Sequence, residues 1–198
     1  IFRKSGEPMS DNFKNLLKLL DDDNEQSASI AMAELLQQDD PRLERILRSL
    51  QETSDAKLRR RIHQLQSAII KRRNRRQLGE ALERNEISLL EGILRLHLLW
   101  FDNDTRGEIS DQWNDFLAEI GKRSCSTPRR LLLQLQKKFS CSPSFMEDMN
   151  ADQICIGTIL EDGFATDFMC CIIAKLAGEH FNMPFDVVRF QGEFVLLR

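Results

Sequence analysis

Apolar residues recur at intervals of three and four positions through the first fifty residues, the spacing that places side chains on one face of an α-helix. The polar run from Asp21 to Asn24 interrupts this pattern, and Pro41 stands in the first turn of a further helix, where proline is favoured. The pattern predicts three short antiparallel helices, the first capped by Ser10 or Asp11. Their inward positions are Phe13, Leu16, Leu17 and Leu20; Ile30, Ala33 and Leu36; and Leu43, Ile46, Leu47 and Leu50.

One long helix is predicted over residues 54–84, opened by a polar capping residue at position 54 or 55. Arg73 and Arg76 occupy places where its apolar stripe should continue. The helix is therefore expected either to bend near Asn74 or to leave the core there. The stripe itself consists of Leu58, Ile62, Leu65 and Ile69.

Three more amphipathic helices follow. Ser88 caps the most apolar one of the first half, which runs to Trp100; another begins at Ser110, and a third begins at Thr127 with Pro128 in its first turn. The stretch 140–148 is predicted to be a loop. The inward positions of the second and third helices are Trp113, Phe116, Leu117 and Ile120, and Leu131, Leu132, Leu135 and Phe139.

The stretch 166–181 predicts a central helix. Apolar side chains cover nearly its whole circumference and leave only Lys175 and Glu179 as a polar stripe, as is typical of a helix buried on most sides. Residues 185–190 then alternate with period two, and after a turn at Gly192 residues 194–197 are all apolar. This alternation predicts a β-hairpin packed on the central helix.

The last quarter of the chain contains a series of short segments in a fixed order, namely Ile159-Leu160-Glu161, Gly163, Leu176-Ala177, Met183-Pro184, Val188-Arg189-Phe190 and residues 192–198. In this order they resemble the core of the bacterial transglutaminase-like family. Residues 16–36 resemble the HEAT-like helical hairpin that accompanies this family, and Asn85 with residues 89–92 extends the likeness upstream. The resemblance implies a core in which a helix presents a nucleophilic Cys at its N-terminus and the following hairpin presents a His.

Both catalytic positions of that family carry other residues here. Ala165 and Thr166 stand at the helix start, and Cys170 lies one turn further in, where the effect of the helix dipole has faded. Glu193 replaces the hairpin His and is a much weaker base at neutral pH. These four residues are candidates for a vestigial cleft that binds a peptide or small amide. The alternative is that Thr166 is an N-cap and Glu193 an exposed turn residue.

Nine basic residues and no acidic one lie between Lys57 and Arg76. On a continuous helix, five of them share a face beside the apolar stripe, which could bind nucleic-acid phosphates or an acidic protein. A net charge of −3 and the lack of interleaved aromatic residues argue against nucleic acid, and the acidic run 21–25 offers an internal partner instead. The five residues are Lys57, Arg61, Lys71, Arg72 and Arg75.

Five cysteines without C-x-x-C spacing, and without a His at metal-ligand spacing, predict reduced, buried thiols and no metal site. Cys170 and Cys171 are neighbours on a predicted helix, so their side chains should point to different faces. The sequence has neither a membrane-spanning run nor the apolar core of a signal peptide, so we expect a cytoplasmic protein. No cofactor is implied.

Together these patterns predict a mostly helical protein. Residues 10–121 form a helical, HEAT-like or bundle region, residues 127–198 form a truncated α+β transglutaminase-like core with a C-terminal β-hairpin, and residues 1–9 are a tail or an expression remnant. The favoured function is non-catalytic binding of a protein or peptide. The alternatives are a Cys-dependent amidase or acyltransferase that uses Cys170, and a nucleic-acid-associated protein that uses the basic face. No membrane partner is expected, and a homo-oligomer through the unpaired hairpin edge is a further alternative.

Overall fold

The computed structural model describes residues 11–38, 40, 42–52, 55–122, 126–142 and 150–197. Within these ranges the protein is mostly helical and ends in an antiparallel β-hairpin, which confirms the predicted fold class. The chain divides into two compact units, the first ending at Arg73 and the second beginning at Asn74. The tail predicted for residues 1–9 and the proposed caps Ser10 and Ser54 lie outside the described residues.

The first unit is helical in its described parts. Asp55 opens its long helix by accepting hydrogen bonds from the backbone N–H groups of Lys57 and Leu58, at 2.7 and 3.0 Å. Pro41, predicted to start the third helix, lies outside the described residues. The elements are α1 (Asp11–Leu19), α2 (Glu25–Gln38), α3 (Leu43–Leu50) and the first part of α4 (Ala56–Glu83).

The buried face of α2 differs from the predicted one. Ala28, Ala31 and Leu35 are fully buried, whereas Ile30 is 64% exposed. Positions 28, 31 and 35 advance by three and then four residues and so stay on one line of the helix, while the predicted positions advance by threes and turn away from it. The other core residues of this unit are Phe13, Leu16, Leu20, Leu43, Leu47, Ile62 and Leu65.

The apolar stripe of α4 ends where the sequence predicts. Ile62 and Leu65 are buried in the core of the first unit, but Arg73 forms an ion pair with Glu44 at 2.7 Å instead. The helix continues to Glu83, and the division between the two units falls directly after Arg73. The loss of the stripe therefore marks the end of the first unit's core.

The second unit contains the remainder of α4 and all later elements. Ser88 and Thr127 cap their helices as predicted, because their hydroxyl oxygens accept from the N–H groups of Glu91 and Arg130. A single 3-10 turn at residues 151–153 precedes α8. The elements are α5 (Leu89–Trp100), α6 (Arg106–Lys122), α7 (Pro128–Lys138), β1 (Ser140–Ser142), α8 (Ile156–Asp162), β2 (Phe164–Thr166), α9 (Asp167–His180), β3 (Asp186–Phe190) and β4 (Glu193–Leu197).

Helix α9 is the centre of the second unit, as predicted. More than half of its residues are buried. The two residues of its polar stripe, Lys175 and Glu179, form an ion pair at 3.1 Å. A Cβ at Gly178 would lie 2.4 Å from the carbonyl oxygen of Met183 and 2.6 Å from the Phe185 ring. Glycine thus lets the chain turn back tightly against α9 before the hairpin begins.

The compact units do not divide near residues 121–127, where the sequence placed a domain boundary. Trp113 and Ile120 of α6 belong to the same buried cluster as Ile159 of α8 and Ile173 of α9. The helices on both sides of the expected boundary share one core, and the second unit begins at Asn74 rather than at residue 127. The sequence of the segment that connects α6 to α7 does not indicate that the helices on its two sides are buried in the same core.

Two small sheets complete the second unit. Strand β1 lies parallel to β2, with Cys141 opposite Ala165, so part of the stretch predicted as a loop is a strand; residues 143–149 lie outside the described part. Strands β3 and β4 form the predicted hairpin. Its turn uses Gln191 and Gly192, both with positive φ (52° and 91°), as the type I′ turn of a two-residue hairpin requires.

Candidate functional site

The residues at the start of α9 have structural roles. Ala165 is fully buried, and the buried hydroxyl of Thr166 accepts a hydrogen bond from the N–H of Met169 at 3.2 Å. This is the geometry of an N-cap. Thr166 therefore completes the helix rather than facing an open cleft.

Cys170 is bonded to Cys141 in a disulfide, which joins the first turn of α9 to β1. The prediction that all thiols are reduced is wrong for this pair, because the parallel pairing of β1 and β2 brings Cys141 within reach of α9, a proximity that sequence spacing does not show. Cys155 and Cys171 are free and buried. Cys125 lies outside the described residues.

The free thiols are poor nucleophiles. Burial, assisted by the nearby negative charge of Asp152, raises the pKa of Cys155 to about 12. Burial and the charge of Asp167 also raise the pKa of Cys171, whose thiol donates to the carbonyl oxygen of Phe194 at 3.5 Å. Because the thiolate is the reactive form, neither thiol is activated at neutral pH.

Glu193 is the first residue of β4 and is exposed, paired with Phe190 across the hairpin. Phe194, the residue after Glu193, contacts α9, because its ring centroid lies 4.7 Å from that of Phe168. The Arg189 guanidinium carbon lies 6.0 Å from the centroid of the Phe194 ring. The structure therefore places the start of β4 beside the first turn of α9, as the predicted cleft requires, but aromatic side chains make the contact.

His97 is a buried histidine with a partner. Its Nε2 lies 2.7 Å from a carboxylate oxygen of Asp104, and its ring stacks on Phe101. A Cβ at Gly157 would lie 2.7 Å from the imidazole, so α8 packs directly on it. This arrangement fixes α5 and α8 around the turn after α5.

Three residues of the predicted basic face, Lys57, Arg61 and Arg72, bind groups of the first unit. Lys57 pairs with Asp23 and Glu25, at 3.4 and 3.8 Å. Arg61 is 3% exposed; its Nη1 donates to the carbonyl oxygens of Leu20 and Asp22, both at 2.7 Å. It thereby satisfies two carbonyl groups of the turn that follows α1.

The remaining members of the basic face differ in their surroundings. Arg61 also pairs with Glu25 at 3.0 Å, and Arg72 donates to the backbone carbonyl of Leu36. Lys71 is half-buried, and Arg75 is exposed in the second unit. The five residues therefore do not form one continuous set of free cations.

The second unit has an apolar groove that the sequence did not reveal. It has a volume of about 400 Å³ and lies between α7 and the C-terminal strand. Two large apolar side chains are exposed beside it, Leu133 at 46% and Leu197 at 54%. The lining residues are Pro128, Arg129, Leu132, Leu133, Gln136, Phe185, Leu196 and Leu197.

Strand β4 contributes its last two residues to the groove. Leu196 and Leu197 are adjacent in a strand and so point to opposite faces of the hairpin, yet both line the groove. Among the described residues β4 pairs with β3 alone, and on its other side the carbonyl oxygen of Phe194 accepts a hydrogen bond from the Cys171 thiol of α9.

The charged residues of α7 are all basic, and one of them, Arg129, lines the groove. This helix contains Arg129, Arg130, Lys137 and Lys138 and no acidic residue. Lys138 pairs with Glu119 at 3.3 Å, and Arg130 donates to the Ser126 hydroxyl at 3.1 Å. The one signal of this surface in the sequence is the Leu131–Leu133 run, because three consecutive leucines cannot all lie on the buried face of a helix.

No family model, curated protein or solved structure matches this chain. Within the described ranges, no helix combines the length and the apolar character needed to span a membrane.

Proposed function

We propose that this protein is a non-catalytic module that binds a protein or peptide partner in the groove between α7 and β4. The observation that carries the proposal is an apolar groove with two exposed leucines, Leu133 and Leu197, in its lining. Exposed apolar side chains in a groove can be covered by an apolar side chain of a partner.

The surroundings of the transglutaminase-like positions support the non-catalytic part of the proposal. Thr166 caps α9, and Ala165 is buried at the start of that helix. We regard the second unit as a transglutaminase-like scaffold retained for packing and binding. The proposed location is the cytoplasm, where reducing conditions would open the bond between Cys141 and Cys170.

The proposal is tested by selecting peptides from a displayed random library on the immobilised full chain. Peptides so selected are then measured against the Leu133→Asp variant, which places a charge in the groove. We expect an affinity loss of at least about tenfold, because one fully buried leucine contributes about 1.5–3 kcal/mol.

Leu82→Asp is the matched control, since Leu82 is another exposed helical leucine of the second unit and does not line the groove. This control should bind the selected peptides like the unmodified protein. Equal losses in both variants, or selected peptides insensitive to Leu133→Asp, would contradict the assignment of the groove.

A further inference from the structure

We infer that the first unit binds a small phosphate monoester in a cationic pocket beside the start of α4. The inference goes beyond the proposed function, because the pocket lies wholly within the first unit and uses none of the groove residues. It is carried by the buried guanidinium of Arg61, one edge of which forms no hydrogen bond within the described part of the chain.

The pocket has a volume of about 470 Å³, a size suited to a small ligand. Its described lining contains three cations and one acid. The cations share one face of the first two turns of α4, and the acid is the first residue of α2. The lining residues are Glu25, Ala56, Lys57, Arg60, Arg61 and Gln64.

Arg61 is held in an orientation that leaves one edge of its guanidinium unsatisfied. Nη1 donates to the carbonyl oxygens of Leu20 and Asp22, both at 2.7 Å, which fixes the plane of the group. Nε and Nη2 form the edge that binds an oxyanion side-on through two parallel hydrogen bonds. Both atoms are buried, and neither has a hydrogen-bond partner among the described residues. Since a buried donor without an acceptor is unfavourable, an oxygen ligand is favoured at this edge.

Glu25 fills this edge only in part. Its Oε1 lies 3.0 Å from Nη2 of Arg61 and 3.8 Å from Nζ of Lys57, within ion-pair distance of both but not aligned for a hydrogen bond to Nη2. The Glu25 side chain is 76% exposed, whereas that of Arg61 is 4% exposed. An ion pair with so exposed a carboxylate is weakened by water, so a more highly charged anion can displace it.

The neighbouring cations determine which anion is preferred. Arg60 is exposed and has no ion pair within the described ranges. The acidic partners of Lys57 are Glu25 and Asp23, and both carboxylates are largely exposed. A phosphate monoester carries about 1.5 to 2 negative charges at neutral pH, and a carboxylate carries only one. With three cations lining the pocket, the phosphate monoester is therefore the favoured ligand.

The probe is phenyl phosphate, titrated into the full chain and followed by calorimetry. We expect saturable binding that weakens with salt. Arg60→Gln should reduce the affinity by at least about fivefold, because it removes a charged donor from the pocket. Arg59→Gln is the matched control, since Arg59 is the adjacent exposed arginine and does not line the pocket, and its affinity should stay within about twofold of the unmodified protein.

Glu25→Gln tests whether the ligand takes the place of this carboxylate. The substitution removes the competing negative charge, so phenyl phosphate should bind at least about threefold more tightly. Glu34→Gln is the control, because Glu34 is an exposed acid of the same helix outside the pocket lining. An affinity that Glu25→Gln leaves unchanged would overturn the assignment of the ligand to the edge of Arg61.

Dimethyl phosphate separates a monoester from the diester of a nucleic-acid backbone. It carries a single negative charge, so it should bind at least about tenfold more weakly than phenyl phosphate. Equal affinities for the two compounds would overturn the preference for a monoester.

Arg61 itself is left unchanged in these tests, because its Nη1 holds the turn after α1 and its replacement would alter folding as well as binding. Absence of saturable binding to the unmodified protein overturns the inference. Binding to the Glu25→Gln variant alone does so too, since Glu25 is then the permanent partner of Arg61. Equal losses in Arg59→Gln and Arg60→Gln would show unspecific attraction to a basic helix, which also overturns the pocket.

Discussion

Gly163 shows how one residue can position several elements. It ends α8 with a φ of 71°, and a Cβ at this position would lie 2.8 Å from the carbonyl oxygen of Lys138. Its own carbonyl oxygen accepts from the N–H of Ser140 at 2.7 Å. The end of α7 and the start of β1 are thus placed against the turn before β2, and the groove wall is fixed with them.

Replacing this glycine should destabilise the protein. We expect Gly163→Ala to lower the free energy of unfolding by roughly 1–3 kcal/mol, because alanine is strained at this φ and its Cβ meets backbone. Urea unfolding measures the change. Gly79→Ala, in an open part of α4, is the control and should be neutral or stabilising by up to about 1 kcal/mol. Equal effects of the two substitutions would contradict the close approach at Gly163.

At the scale of elements, the disulfide connects the groove to the central helix. Strand β1 begins at Ser140, immediately after α7, and its Cys141 is bonded to Cys170 in the first turn of α9. The hairpin packs on α9 as well, through Leu196 and through the contact of Phe168 with Phe194. Both walls of the groove are therefore attached to the same helix.

Opening the disulfide should lower the stability of the second unit. The two cysteines are 29 positions apart, and closure of a loop of this size contributes about 3–4 kcal/mol. We expect the Cys141→Ser/Cys170→Ser variant to be less stable than the oxidised protein by about that amount and similar to the protein reduced with dithiothreitol. Chemical unfolding with and without reductant measures this, and Cys155→Ser is the control for a thiol outside the bond. Peptide mapping that finds Cys141 as a free thiol in the oxidised protein would disprove the pairing.

At the scale of the whole molecule, burial is divided between two cores. Leu35 and Ile62 belong to the cluster of the first unit, and Ile159 and Ile173 belong to the cluster of the second. Charge is also unevenly distributed, because the four charged residues of α7 are all basic in a chain of net charge −3. A partner of the groove therefore meets a local field opposite in sign to that of the whole protein.

The two cores should respond separately to cavities. Leu35→Ala and Ile173→Ala should each lower the free energy of unfolding by about 2–5 kcal/mol, since both side chains are fully buried. Hydrogen exchange followed by mass spectrometry should show faster exchange in α1–α3 for the first variant and in α8–α9 for the second. The same acceleration along the whole chain in both variants would show that the two units unfold as one.

Features that depend on neighbouring residues could be predicted from the sequence. The caps Ser88 and Thr127, the central helix with its pair Lys175 and Glu179, and the turn at Gly192 all follow from local spacing and backbone preference. The buried face of α2 was predicted wrongly, because a helix of small and polar residues offers more than one apolar line. The face with Ala31 is selected by what packs against it.

The sequence by itself determined the order of the helices, their capping and the final hairpin, because periodicity and turn chemistry act over a few residues. Only the tertiary structure decided that Arg61 is buried against the chain that follows α1, that Cys141 meets Cys170, that α5 and α6 share a core with α9, and that the end of β4 lines a groove with α7. Each of these depends on residues far apart in the chain. Their proximity is set by the packing of whole elements, which minimises exposed apolar surface over the unit and leaves no local signature.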